Sequence, residues 1–156
     1  MSGTSSERPP RPTRADYVVW RTATTRWADD DAYHHMNNAT YYELFDTCVN
    51  AYLMDATDRN VRHLPAVGVV AETSCRYFQE IGFPHPVEMG LAVERVGTSS
   101  VVYRIGLFQG DGDEAAAEGR FVHVYVDNPF NGSAAERSVR PLPEEIRAVV
   151  TPLMKT

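Results

Sequence analysis

Residues 29–52 read DDDAYHHMNNATYYELFDTCVNAY, and the change of pattern inside this stretch decides the architecture. Its first ten positions hold three aspartates, two histidines and two asparagines, a turn-forming composition. From there Tyr41, Leu44, Phe45, Cys48, Val49 and Tyr52 recur at i, i+3, i+4, i+7, i+8 and i+11, the spacing of one face of an α-helix. Asn37, Asn38 or Thr40 is placed to cap that helix, and Thr40 with Glu43 has the capping-box spacing. A polar turn feeding a helix N-terminus is therefore expected here.

On either side the composition turns to strand. Upstream, YVVWRTATTRW at 17–27 is rich in β-branched and aromatic residues. Downstream come PAVGVVAETSCRYFQE, PVEMGLAVERVG, SSVVYRIGLFQG and EAAAEGRFVHVYVD, separated by turn residues. Val87, Met89, Leu91 and Val93 share one face of the second run, and Val101, Tyr103, Ile105 and Leu107 one face of the third. The connections VGTS and GDGD are short, the latter with an Asp-Gly hairpin signal, which predicts an antiparallel meander with no crossover helices. NPFNGSAAERSVRPLP reads as a loop and PEEIRAVVTPLM as a short terminal helix. The fold class is α+β: a long central helix packed across a five-stranded antiparallel sheet. The helix is apolar on more than one stripe and the strands are long, which together predict a homodimer with a continuous sheet.

A length of 156 residues matches one domain at roughly 150 residues per domain. Residues 1–14 carry three prolines, three serines and three arginines and no apolar residue beyond Met1, so a disordered tail is expected there, ahead of a single domain over 15–156. Fifteen Lys plus Arg against 21 Asp plus Glu, a net charge of −6, argue against nucleic acid or an anionic membrane surface as partner. A few local arginines can still hold one phosphate group. No apolar run approaches the roughly 20 residues of a membrane span, the mean hydropathy is −0.36, and the N-terminal residues lack the apolar segment of a secretory signal. Cytoplasmic location is the expectation. Cys48 and Cys75, with no CxxC pair, read as free thiols rather than a disulfide or zinc site.

The acidic turn is where chemistry is expected. N–H groups at a helix start carry partial positive charge and can hold an oxyanion, while a nearby carboxylate supplies base or nucleophile. Acyl transfer is the matching reaction class. On the plainer reading, the aspartates form a solvated turn that favours the helix dipole and the asparagines simply cap. A metal-dependent hydrolase is a third reading, since Asp29, Asp31, His34 and His35 offer ligands within seven residues, but the spacing is no recognised ligand set. Neither metal nor cofactor is expected.

RWADDDAYHHMNNATYYELFD at 26–46 resembles the D-x-D-x-x-G-H-x-N-N-x-x-Y-x-x-x-F-E signature of hotdog-fold acyl-CoA thioesterases, among them the 4-hydroxybenzoyl-CoA thioesterase group. VVAETSCRYFQEIGFPHPVEMGLAVERVGTSSVVYRIGLF is similar to that family's following strands and Gly-x-Ser-Ser hairpin, so the resemblance spans roughly residues 17–150. It implies a hotdog domain that hydrolyses an acyl- or aryl-CoA to free acid and CoA. Asp29 takes the first aspartate position and Asp31 that of the catalytic carboxylate, acting as general base or nucleophile. His35, Asn37 and Asn38 match the histidine and asparagines, and Tyr41 or Tyr42 the aromatic. His35 and Asn38 are thereby catalytic candidates beside Asp31, with backbone N–H groups from His35 to Asn38 as oxyanion donors. His34, Asn37, Tyr41, Ser99 and Ser100 are the substrate-binding candidates, the two serines lying where the family admits CoA. Asp31 should lie in a partly dry tunnel at a dimer interface, and the resemblance leans to a dimer of dimers. Arg76, Arg95, Arg104 and Arg120 are equivalent candidates for the CoA phosphates. His34 stands where the signature has glycine, a position able to take φ > 0 at little cost. The alternative on the same fold is an acyl-CoA binding protein, or a dehydratase using a histidine and a helix carboxylate such as Glu43 or Asp46.

Overall fold

In the computed structural model, which describes residues 8–130 and 138–155, the β-branched runs become five strands: β1 (Val19–Ala23), β2 (Ala66–Tyr77), β3 (Val87–Val96), β4 (Ser100–Phe108) and β5 (Ala117–Asp127). Between β1 and β2 runs the 20-residue helix α1 (Asn38–Thr57), and after β5 the short helix α2 (Glu144–Val150). The sheet is antiparallel in the order β1-β3-β4-β5-β2. β3, β4 and β5 form the expected meander. β2 does not join it through β3 but crosses to the far side of β5, and β1 closes the opposite edge on β3. The GDGD segment is not a tight hairpin turn either. It sits in a wider connection over 109–116, in which Gly110 holds a positive φ and Ala116 N donates to Leu107 O at 2.7 Å.

The two faces predicted from period-2 alternation are core. Val87, Met89, Leu91 and Val93 on β3, and Val101, Tyr103, Ile105 and Leu107 on β4, are all buried. Across them lies α1, burying Tyr41, Phe45, Cys48, Val49 and Leu53, while Leu44 and Tyr52 from the predicted stripe are half-buried. Each fully buried Phe, Val or Leu contributes about 1.5–3 kcal/mol, so this contact holds the helix to the sheet. Its position is set at Gly119 on β5, where an added β-carbon would meet the Phe45 ring at 2.6 Å. Ile146 and Val150 of α2, with Leu153, close the core at the far end. Cys48 and Cys75 are free, and burial pushes the Cys48 thiol up to about 12.

Of the tail expected to be disordered, residues 1–7 lie outside the described residues, whereas 8–14 are held against the sheet. Arg11 Nε donates to Ala115 O at 2.8 Å, Ala115 N donates to Pro12 O at 2.8 Å, and the Arg14 guanidinium pairs with Glu88 at 3.0 Å while lying 4.7 Å over the Phe108 ring. Composition registers apolar burial and misses such backbone and guanidinium contacts. Of the loop predicted over 128–143, residues 131–137 lie outside the described residues. Among the described residues, no helix is long and apolar enough to cross a membrane.

Candidate active site

Three consecutive aspartates take three different jobs. Asp29 is buried, and its carboxylate accepts from Arg26 N at 2.7 Å and from the Arg26 guanidinium at 2.8 and 3.0 Å. Its carbonyl accepts from Asn37 N at 2.7 Å, which ties the approach of β1 to the start of α1. Asp30 holds the 81–85 loop, both its oxygens lying 3.2 Å from Phe83 N. Asp31 is exposed and closes its own turn: its Oδ1 accepts from Tyr33 N at 2.8 Å and His35 N at 3.3 Å. That leaves Asp31 Oδ2 without a partner among the described residues. One oxygen of this carboxylate locks the turn and the other stays open, without a bond to the described residues.

The turn from Asp31 to His35 closes because His34 adopts φ 65°, the left-handed conformation. His34 N donates to Asp31 O at 3.1 Å, and Asp31 N donates to His35 O at 2.8 Å. Met36 is buried, and its N–H donates to Ile81 O at 2.9 Å. Asn37 is the helix cap, its Oδ1 accepting from Ala39 N at 3.0 Å. The Thr40–Glu43 capping box is not formed; Thr40 lies inside the first turn, with its N–H on Asn37 O at 2.9 Å. Asn37 wins by position: it stands just outside the helix, where its amide oxygen meets an N–H two residues ahead.

Fewer backbone N–H groups are open at this turn than the sequence implied. The His35, Met36 and Asn37 N–H groups are all spent inside the protein. Of the four, the Asn38 N–H alone has no acceptor among the described residues, being the first residue of α1.

Asp31, His35, Met36, Asn38 and Tyr41 line one side of a cleft of about 620 Å³, and Tyr77, Phe78, Gln79 and Glu80, at and beyond the end of β2, line the other. His35 Nε2 is 2.8 Å from Glu80 Oε2. Tyr77 donates its hydroxyl to Asn38 Oδ1, and the Tyr41 ring meets the Tyr77 ring edge-on at 5.0 Å. Burial pushes the Tyr41 hydroxyl up to about 12. The cleft therefore gathers four of the sequence-predicted residues, Asp31, His35, Asn38 and Tyr41. His34 and Asn37 shape its floor without lining it. Ser99 and Ser100 are elsewhere: Ser100 pairs with Val124 and Tyr77 with Ala117, seven residues along β5, a separation of about 23 Å at roughly 3.3 Å per residue.

Sequence reading assigned no role to Tyr77 or Glu80. They lie 39 and 45 residues from Asn38 and His35, and the crossover of β2 to β5, which brings their segment back to the helix, leaves no local pattern. Of the four candidate arginines, Arg76 donates to Pro9 O at 2.8 Å, while Arg104 and Arg120 share Glu94, with Glu118 and Glu72 beside them. Arg95 is exposed and has no partner among the described residues. The metal reading loses its cluster, because Asp29 is committed to Arg26 and no group of three metal-binding side chains converges among the described residues. Glu43 is exposed, and Asp46 accepts from Asn50 Nδ2 at 3.0 Å.

The sequence model of the thioesterase superfamily matches residues 33–116, more than half the chain, beginning two residues after Asp31. The crystal structure of the PA5185 protein from Pseudomonas aeruginosa strain PAO1 is 40% identical, with a TM-score of 0.85 over 94% of this chain and 99% of that one. The 1,4-dihydroxy-2-naphthoyl-CoA thioesterase Slr0204 from Synechocystis is 12% identical, with a TM-score of 0.74 over 86% of this chain and 96% of that one. The gentisyl-coenzyme A thioesterase BH1999 is 15% identical, with a TM-score of 0.71 over 85% and 99%. The latter two share the hotdog fold with the chain. No curated protein matches.

Proposed function

The chain belongs to the thioesterase superfamily, and from that membership we propose that it hydrolyses the thioester of an acyl- or aryl-CoA, using Asp31 and the start of α1. The observation that carries this reading is the split use of the Asp31 carboxylate: Oδ1 accepts two backbone N–H groups and Oδ2 has no partner among the described residues, at the wall of a cleft that also holds Asn38. A carboxylate so held needs no reorganisation to take a proton from a water molecule. The resulting hydroxide adds to the thioester carbonyl carbon and the negative charge moves to the carbonyl oxygen. Collapse of that intermediate breaks the C–S bond, and the CoA thiolate takes up the proton that Asp31 removed. The products are a free acid and CoA. Attack by Asp31 itself, through a mixed anhydride that water then cleaves, uses the same free oxygen. Thiolate is a good leaving group, so charge stabilisation at the oxyanion matters more than a strong general acid, and no cofactor is needed.

The partner surface follows from β2. It is an edge strand of 12 residues, paired on one side with β5, with Val70 47% exposed. Two copies joined antiparallel along β2 make one continuous sheet and bring the Ser99–Ser100 end of one subunit round to the cleft end of the other. Arg95, on β3 at that same end and unpaired, is then the arginine for the CoA phosphates. A second pairing of dimers uses the remaining faces.

The test is thiol release from short, medium, long-chain and aryl acyl-CoAs, with Asp31→Asn alongside. The variant is nearly isosteric and keeps an oxygen for the turn, so its thermal unfolding should stay within about 1 kcal/mol of the parent. Its turnover should fall on the order of a thousandfold, as expected for loss of a base or nucleophile. Full activity in the variant removes Asp31 from the mechanism; no release from any substrate moves the protein to acyl-CoA binding or dehydration.

A further inference from the structure

Asn38 is the residue of the cleft with the most left to give. Its backbone N–H has no acceptor among the described residues, and its side chain is a carboxamide with one accepting and one donating end. The accepting end is occupied: Tyr77, across the cleft on β2, donates its hydroxyl to Asn38 Oδ1. With the carboxamide oxygen taken by Tyr77, the Nδ2 donor is left without an acceptor among the described residues, on the same residue as the free N–H. We propose that Tyr77 is a positioning residue, fixing the Asn38 carboxamide so that Asn38 presents its two kinds of N–H donor together to the oxyanion formed in the cleft.

Three features of the surroundings fit a fixed hydroxyl. The Tyr77 ring is braced edge-on by the buried Tyr41 at 5.0 Å. Its hydroxyl stands close to Tyr42 and Cys75, and burial together with these neighbours holds it protonated well above the usual tyrosine range, so it remains a donor at all working pH values. The bond also ties the first residue of α1 to the last of β2, beside the Tyr41–Tyr77 ring contact between the same two elements. A donor that must sit within tenths of an ångström of a developing charge gains from being held at both ends.

This inference rests on the thioesterase reading, and its test separates the two. Tyr77→Phe keeps the ring and removes the hydroxyl. The expected result is a fall in kcat of roughly ten- to a hundredfold with KM within about twofold, because the lost interaction belongs to the transition state. In an Asn38→Ala background, Tyr77→Phe should change kcat less than about twofold, since the group it positions has gone. An unchanged kcat in Tyr77→Phe, or full additivity of the two changes, overturns the proposal. A merely structural role would lower the midpoint of unfolding without this non-additivity. Should the parent release no thiol from any acyl-CoA, the thioesterase reading falls, and the side-chain amide resonances of Asn38 decide the remainder. They should shift in Tyr77→Phe, and resonances unmoved by that substitution overturn the link between the two residues.

Discussion

His34 shows how a single residue can be read from sequence as an anomaly and explained by its backbone. It occupies the glycine position of the thioesterase signature, and its φ of 65° is the left-handed conformation that a glycine would adopt without a β-carbon in the way. An L-residue there costs roughly 1–2 kcal/mol, and histidine is among the types that tolerate it. His34→Gly removes that strain but restores backbone freedom to the unfolded chain, worth roughly 0.5–1 kcal/mol the other way. The expected outcome is a stability change between zero and about 1.5 kcal/mol in favour of the variant, with thiol release preserved or raised. Thermal unfolding and the acyl-CoA assay read both. A loss of activity at unchanged stability would give the imidazole itself a part in substrate binding. Neighbouring aspartates carry the same lesson: identical side chains at 29, 30 and 31 become a buried clamp, a loop anchor and a free carboxylate because each points to a different partner.

At the scale of elements, α1 and β5 approach closely at Gly119. A β-carbon on Gly119 would lie 2.6–2.7 Å from three atoms of the Phe45 ring, and Phe45 is fully buried with no room to retreat. Gly119→Ala should therefore lift the helix from the sheet and destabilise by about 1–3 kcal/mol, the usual cost of overfilling a packed core. Combining it with Phe45→Leu, which shortens the opposing side chain, should cost less than the sum of the two single changes. Denaturant unfolding of the four proteins checks this, and strict additivity would mean that the two residues do not share the contact. The elements themselves were mostly legible, because β3 and β4 alternate with period 2 and α1 has a clear i, i+3, i+4 stripe. What was not legible is what several residues could do equally well or what depends on distant pairing. Asn37, Asn38 and Thr40 are all competent caps, and geometry alone chose Asn37. The crossing of β2 to β5 left no local trace, and with it went Tyr77 and Glu80, two residues of the cleft's second wall. Asp31, His35 and Asn38 are named by the signature they resemble, and because they lie within eight positions of one another a single turn brings all three to one cleft.

For the whole molecule, the open side of β2 decides whether one chain is enough. A strand of 12 residues with an unpaired edge, carrying Val67, Val69 and Val70 and ending at the cleft, is a template for a second copy unless charge or a bulge blunts it. The bulge between Val70 and Glu72 and the charges of Glu72 and Arg76 blunt it in part, but Val70 remains 47% exposed beside it. On α1, Ala51, Tyr52 and Met54 are only half-buried, which adds apolar surface that a partner would cover. The expectation is a sedimentation mass of at least twice the 17.5 kDa chain at micromolar concentration. Val70→Lys places a charge on the edge without touching the cleft and should shift that mass to the single chain while far-UV circular dichroism stays unchanged. If the paired sheet supplies the Ser99–Ser100 and Arg95 side of the substrate site, the dissociated variant should raise KM for acyl-CoA far more than it lowers kcat, because Asp31, Asn38 and Tyr77 all come from one chain and the CoA contacts from the other. A monomeric variant with parental KM would show that the cleft is complete within a single subunit, and the hairpin serines and Arg95 would lose their place in substrate binding.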